Sequence, residues 1–209
     1  MNNYISLEKA KNIMGENFIG PDDLKSISKL RLKIGVIPDI LYSQLELESK
    51  KDDYLLILGI DYFDNGAPVT IQNLLKIFGK NPDTGEPCFY NQDWYDSEEF
   101  IRTRMENKWF LIKKNVYEDS RAVQPTELMK TYLFPSAITC SYTFFVTWFC
   151  RGIKLWYHEF VWCSDTDHNG DRIYVGKYHD VDGVNKNGFS IHRHLALRTC
   201  YGCIDQIME

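Results

Sequence analysis

A chain of 209 residues with net charge −5 and a sequence pI near 5.6 carries no basic coat for nucleic acid, although a local basic patch stays open. The length suits one domain, large enough to bury roughly 70% of the surface its unfolded chain exposes, so no staple is needed. Composition is ordinary at 44% hydrophobic and 25% charged, but 14% is aromatic.

Met1–Ile13 lacks the apolar core of a secretory signal. The longest apolar-leaning run, Ala137–Cys150, is interrupted by Thr139, Ser141, Thr143 and Thr147 and falls short of the ~20 residues a membrane helix takes. A soluble, cytoplasmic protein without a membrane partner is expected. The six cysteines (Cys88, Cys140, Cys150, Cys163, Cys200 and Cys203) then read as reduced thiols, those among aromatics acting as small hydrophobes.

In chain order, Ser6 caps a first helix that Gly15 stops, and Pro21-Asp22-Asp23 opens a second with Leu24, Ile27 and Leu30 at helical spacing. Residues 1–32 are therefore expected to form a helical hairpin. The charged run Glu46–Asp53 reads as a solvated helix end and loop. Tyr54–Ile60 is a continuous apolar run of strand length. Thr70 caps a helix through Phe78 that closes at Gly79. Ser97-Glu98-Glu99 opens a helix to about Met105, and Trp109–Val116 is β-prone.

Pro125 and Pro135 bracket a short helix, and residues 136–150, closed by Gly152, form the central buried helix. Eleven aromatics between Tyr132 and Trp162 make this region the expected core, each buried ring removing roughly 150–250 Å2 from water. Ile153–Cys163 and Asp171–Tyr178 read as strands joined by a turn containing Asn169-Gly170, with a third extended piece at Phe189–Leu197. The expected fold is α+β, a single domain over residues 1–209. It combines the helical hairpin, the central helix and a mainly antiparallel sheet in a β-hairpin-rich stretch, 153–198.

Chemistry concentrates in that last third. All five histidines lie between His158 and His194, where an acidic loop is followed by a basic strand that carries His192 and His194. Asp165-x-Asp167-x-Asn169-Gly170, followed by Asp171, opens like a calcium loop, but Arg172 and Gly176 occupy positions that such a loop gives to an aliphatic residue and a glutamate. A helix-loop-helix calcium site is excluded. A looser divalent-cation site on Asp165, Asp167, Asn169 and Asp171 stays open beside the plainer reading of an Asp/Asn/Gly turn.

On a strand, His192 and His194 share one face about 6.6 Å apart and could meet one ion or phosphate, while Arg193 points the other way. Cys200-x-x-Cys203 adds a weaker structural-zinc set. The segment Cys88–Tyr95 mixes rings with amide and acid groups, and Tyr90, Asn91, Asp93 and Trp94 are its candidate ligand-binding residues. No phosphate loop, dinucleotide fingerprint, nucleophile elbow or zinc-protease helix is present.

Two function classes follow. The first is a binding or interaction protein that engages a protein or a small polar or anionic ligand through its aromatic and polar loops. The second is a metal-dependent phosphoesterase or nuclease. There the Asp165–Asp171 loop holds the cation, His192 or His194 acts as base, and Arg172 or Arg193 clamps phosphate.

Overall fold

A computed structural model of the chain describes residues 5–80, 85–178, 188–193 and 197–208. The fold is α+β, with helices set against two mixed four-stranded sheets. The apolar run from Tyr54 becomes β2 (Tyr54–Leu58), an interior strand of its sheet that is buried along its whole length. On one side lies β1 (Phe18–Ile19), parallel, and on the other β3 (Trp109–Lys113), antiparallel, with Leu56 opposite Leu111. The short β8 (Gln206–Ile207) pairs with the far edge of β3.

The N-terminal region departs from a simple helical hairpin. Helix α1 (Leu7–Met14) begins at the Ser6 cap, and α2 (Pro21–Ser26) begins at its proline, but edge strand β1 runs between them. Helix α3 (Gln44–Lys50) carries a reciprocal capping box between Ser43 and Glu46. Helix α4 (Ile71–Phe78) runs from the Thr70 cap to Gly79 as its sequence dictates. The expected helix at Ser97 contracts to a 3-10 turn at Phe100–Arg102. There Phe100 and Ile101 are both buried, and the Met105 N–H bonds the Val69 carbonyl, so the chain turns inward instead of coiling on.

After the single turn of α5 (Pro125–Leu128), α6 (Ala137–Arg151) enters the core. Eleven of its fifteen residues are buried, and Gly152 ends it in the left-handed conformation that an L side chain adopts only at a cost. Phe145 stacks on Phe78 at 4.0 Å between ring centroids, and Phe144 packs on Phe189 at 4.5 Å. The Tyr142 hydroxyl donates to the Leu58 carbonyl of β2 at 3.0 Å, tying the helix to the first sheet.

The second sheet contains β4 (Phe160–Thr166), β5 (Arg172–Tyr178), β6 (Gly188–Arg193) and β7 (Tyr201–Gly202), in the order β6-β5-β4-β7. Its β4–β5–β6 ladder is antiparallel, and β7 joins β4 in parallel. Strand β4 starts later than the sequence implies, because Trp156 and His158 take positive φ and fold residues 156–159 over the end of β5. One sheet face, with Val161, Cys163, Ile173, Val175, Phe189 and Ile191, joins the core cluster that contains α6. The other carries Phe160, Trp162, Tyr174 and Tyr201 under Leu128 and Phe134. No helix among the described residues is long and apolar enough to cross a membrane.

The overlying 156–159 segment makes Gly176 a fixed requirement. A Cβ there would lie 1.9 Å from the Glu159 carbonyl oxygen and 2.9 Å from the Phe160 ring. Gly176→Ala is expected to cost about 3 kcal/mol of stability in urea unfolding. Gly35→Ala, where a Cβ meets open space, is expected to change it by less than about 0.5 kcal/mol. Equal costs at the two positions would contradict this account of the β5 crossing.

Candidate functional site

Strand β6 is the edge of the second sheet, and an exposed edge invites unwanted pairing. The Cys88–Trp94 segment closes it. Phe189 donates its N–H to the Cys88 carbonyl and accepts at its own carbonyl from the Tyr90 N–H, each at 2.8 Å. Further along, side chains take over from backbone. The Gln92 Oε1 accepts the Ile191 N–H at 3.3 Å, and the Trp94 indole N–H donates to the Ile191 carbonyl at 3.0 Å. The rings of this segment therefore serve first to hold it. Tyr90 and Trp94 are half-buried, whereas Asn91 and Asp93 project into solvent.

Alternation along β6 sends His192 and Arg193 to opposite faces. His192 lies beside Tyr174, stacked at 5.5 Å, and meets the Phe160 ring edge-on. Burial pushes its imidazole down to about 4, so it is neutral at physiological pH. Because Gln92 uses its Oε1 on Ile191, its amide nitrogen faces the His192 Nδ1 at 3.1 Å. Nδ1 accepts that bond, and the ring proton sits on Nε2. His192 therefore presents an N–H donor and not a basic lone pair.

Arg193 lies over the Trp94 ring at 4.8 Å and donates to Asp167 Oδ2 at 2.7 Å. This is the point at which the acidic loop and the basic strand meet. The second Asp167 oxygen, Oδ1, accepts the N–H groups of Asn169 and Asp171 at 2.9 and 2.8 Å, which builds the turn. Burial opposes ionisation of Asp167, but Arg193 and the two backbone donors outweigh it and hold the carboxyl below its usual range.

The other members of the loop are placed differently. Asp165 turns inward and accepts the Ala137 N–H at 2.6 Å, at the start of α6; burial raises its carboxyl, against the pull of that donor. Asn169 is exposed, and Asp171 is half-buried. Arg172 donates to the Ser164 carbonyl on the adjoining strand. His194 lies outside the described residues. Cys203 is buried with its N–H on the Ser120 hydroxyl, and Cys200 is half-buried; both are free thiols.

Sequence reasoning missed Glu98 and His168. Glu98 is only 4% exposed. Its two oxygens take the backbone N–H of His168 at 3.0 Å and the imidazole Nδ1 at 2.6 Å. Donor atoms of Glu98, Asp167 and His168 all fall within 4.8 Å of one another. With Ser97, Glu99 and Thr166 they line an open pocket of about 580 Å3. A glutamate two residues into an apparent helix start gives no local sign of such a role, since its partner is 70 positions away.

No protein-family profile, curated protein or solved structure matches the chain. The site is therefore read from its own chemistry.

The depressed His192 value makes acid stability testable. A histidine that protonates more readily when unfolded leaves stability intact above its unfolded value near 6.5 and costs stability as pH falls toward about 4. Across that window the contribution changes by at most about 1.4 kcal/mol per pH unit. Unfolding curves of the wild type and His192→Gln are expected to diverge between those limits, with the wild type losing more. Parallel curves, or an NMR titration giving His192 a value near 6.5, would refute the buried neutral donor.

Proposed function

We propose that this chain is a non-catalytic binding protein that recognises a basic side chain of a partner protein, using the pocket between residues 97–99 and the β4–β5 turn. The observation that carries this reading is the nearly buried Glu98 carboxylate in a pocket that also holds Glu99 and Asp167. Each Glu98 oxygen accepts one bond from His168 and keeps a second lone pair for a ligand N–H. Arg193 offsets the charge of Asp167, while Glu98 and Glu99 favour an incoming guanidinium or ammonium group. Asn91 and Asp93 extend the polar rim along the segment that closes β6. Six free thiols, including Cys140 and Cys163 with sulfurs 3.9 Å apart, support a reducing, cytoplasmic setting.

A second reading, a divalent-cation centre serving phosphoester hydrolysis, is favoured by the convergence of Glu98, Asp167 and His168 donor atoms. It asks more of the site. Ligation through His168 Nδ1 breaks its bond to Glu98, and ligation through Asp167 Oδ2 competes with Arg193. His192 also has no basic nitrogen lone pair free to activate water, since Gln92 occupies Nδ1.

The two readings separate in one set of titrations. N-acetylarginine amide is expected to shift the backbone-amide NMR signals of residues 97–99 and 166–168. Glu99→Gln, an exposed change, is expected to weaken binding about threefold. Saturable Mn2+ binding at the same amides, together with Mn2+-dependent hydrolysis of bis(p-nitrophenyl) phosphate that Glu98→Gln abolishes, would replace the first reading with the second.

A further inference from the structure

A second pocket, of about 230 Å3, has the opposite electrical character. It lies between the chain that follows α2, the turn at residues 63–67, and the exposed side of α4. Leu30 and Phe63 are both buried and form apolar lining, with Ala67 and Ile77 half-buried beside them. Around them stand Lys29, Arg31 and Lys76, against the single carboxylate of Asp64. In a chain of net charge −5, this is a local reversal of sign.

Backbone bonds hold the walls in place. Arg31 and Asp64 are joined by the Asp64 N–H to Arg31 carbonyl bond at 2.8 Å, and residues 63–67 close on themselves through Phe63 N–H to Ala67 carbonyl at 2.9 Å. Asn73 of α4 donates to the Pro68 carbonyl at 2.9 Å, anchoring the helix wall to the same turn. The guanidinium of Arg31 grips Asp64 through Nε and Nη2, each at 2.8 Å, so that pair is close to neutral. The two lysines are different. Lys29 lies over the Phe78 ring at 5.1 Å, and Lys76 donates to the neutral Asn73 Oδ1 at 3.0 Å. Neither forms an ion pair with a carboxylate among the described residues. Asn65 uses its Oδ1 on the Ala67 N–H and has its amide nitrogen left to donate.

We propose that this pocket binds a small organic anion, a compact apolar body bearing a phosphate or carboxylate head. Apolar walls with a few convergent donors suit such a molecule: the body displaces water from Leu30 and Phe63, and the head sits between Lys29 and Lys76 with Asn65 donating to it. The site is separate from the acidic pocket and does not rest on the partner reading given there.

Phenyl phosphate is the probe, with benzoate, inorganic phosphate and phenol as comparison arms, followed by backbone-amide NMR shifts of the whole chain. Phenyl phosphate and benzoate are expected to shift residues 29–31, 63–67 and 73–77, with affinity falling as salt rises. A stronger response to phenyl phosphate assigns a phosphate head, and a stronger response to benzoate a carboxylate. Inorganic phosphate and phenol are each expected to bind more weakly than the joined molecule. Lys29→Gln with Lys76→Gln, two exposed changes, is expected to weaken phenyl phosphate about tenfold with an unchanged melting temperature. The proposal fails if phenyl phosphate shifts nothing there at millimolar concentration. It fails equally if phenol binds as well, or if the double variant retains wild-type affinity.

Discussion

A helix that enters a protein core brings its unsatisfied N-terminal N–H groups with it, and those groups must find acceptors. In α6 the Ser136 hydroxyl takes the Thr139 N–H, and the Asp165 carboxylate takes the Ala137 N–H at 2.6 Å. Asp165 belongs to β4, so one hydrogen bond both satisfies a first-turn N–H of the helix and ties the helix to the second sheet. The Ser164 N–H to the Pro135 carbonyl and the contact between the Cys140 and Cys163 sulfurs repeat that tie. At the opposite sheet, Tyr142 reaches the Leu58 carbonyl. The buried helix thus hydrogen-bonds to both sheets, alongside direct ties such as the Trp156 indole N–H to the Lys114 carbonyl and the Tyr117 N–H to the Cys203 carbonyl.

That constraint decides what the acidic loop can do. With Asp165 drawn to the helix, the chain beyond it turns tightly, and Asp167 supplies the acceptor for the turn. The turn then delivers Asp167 to Arg193 and His168 to Glu98. Three aspartates that look equivalent in sequence divide into a helix cap, Asp165, a turn builder, Asp167, and a half-buried neighbour, Asp171. The donor atoms that converge are those of this turn and of Glu98, not those of the loop as a set.

Much of the fold is legible because its signals are local. Thr70 and Gly79 bound α4, the buried run at Tyr54 marks β2, and Gly152 ends α6. The Asn169-Gly170 turn joins β4 to β5 as its residue types favour. What fails locally is decided at long range. The helix expected from Ser97 gives way because Glu98 is taken by His168 and Met105 by Val69. Strand β4 loses its first residues to the 156–159 crossing. The candidate site is less legible still, since Gln92 and His192 lie 100 positions apart and only their contact reveals which imidazole nitrogen carries the proton.

Bulk charge conceals the same kind of long-range organisation. A net charge of −5 argues against indiscriminate binding to polyanions, because that attraction scales with the field of the whole surface. Recognition of one small group depends instead on charges within a Debye length of roughly 8–10 Å. On that scale this molecule has surfaces of opposite sign: Glu98 and Glu99 in one pocket, Lys29 and Lys76 in the other. In each, exposed residues stand beside two buried ones: Glu98 and Asp167 in the acidic pocket, Leu30 and Phe63 in the basic one. The sign of each pocket is thus set by which side chains the fold brings together and not by overall composition.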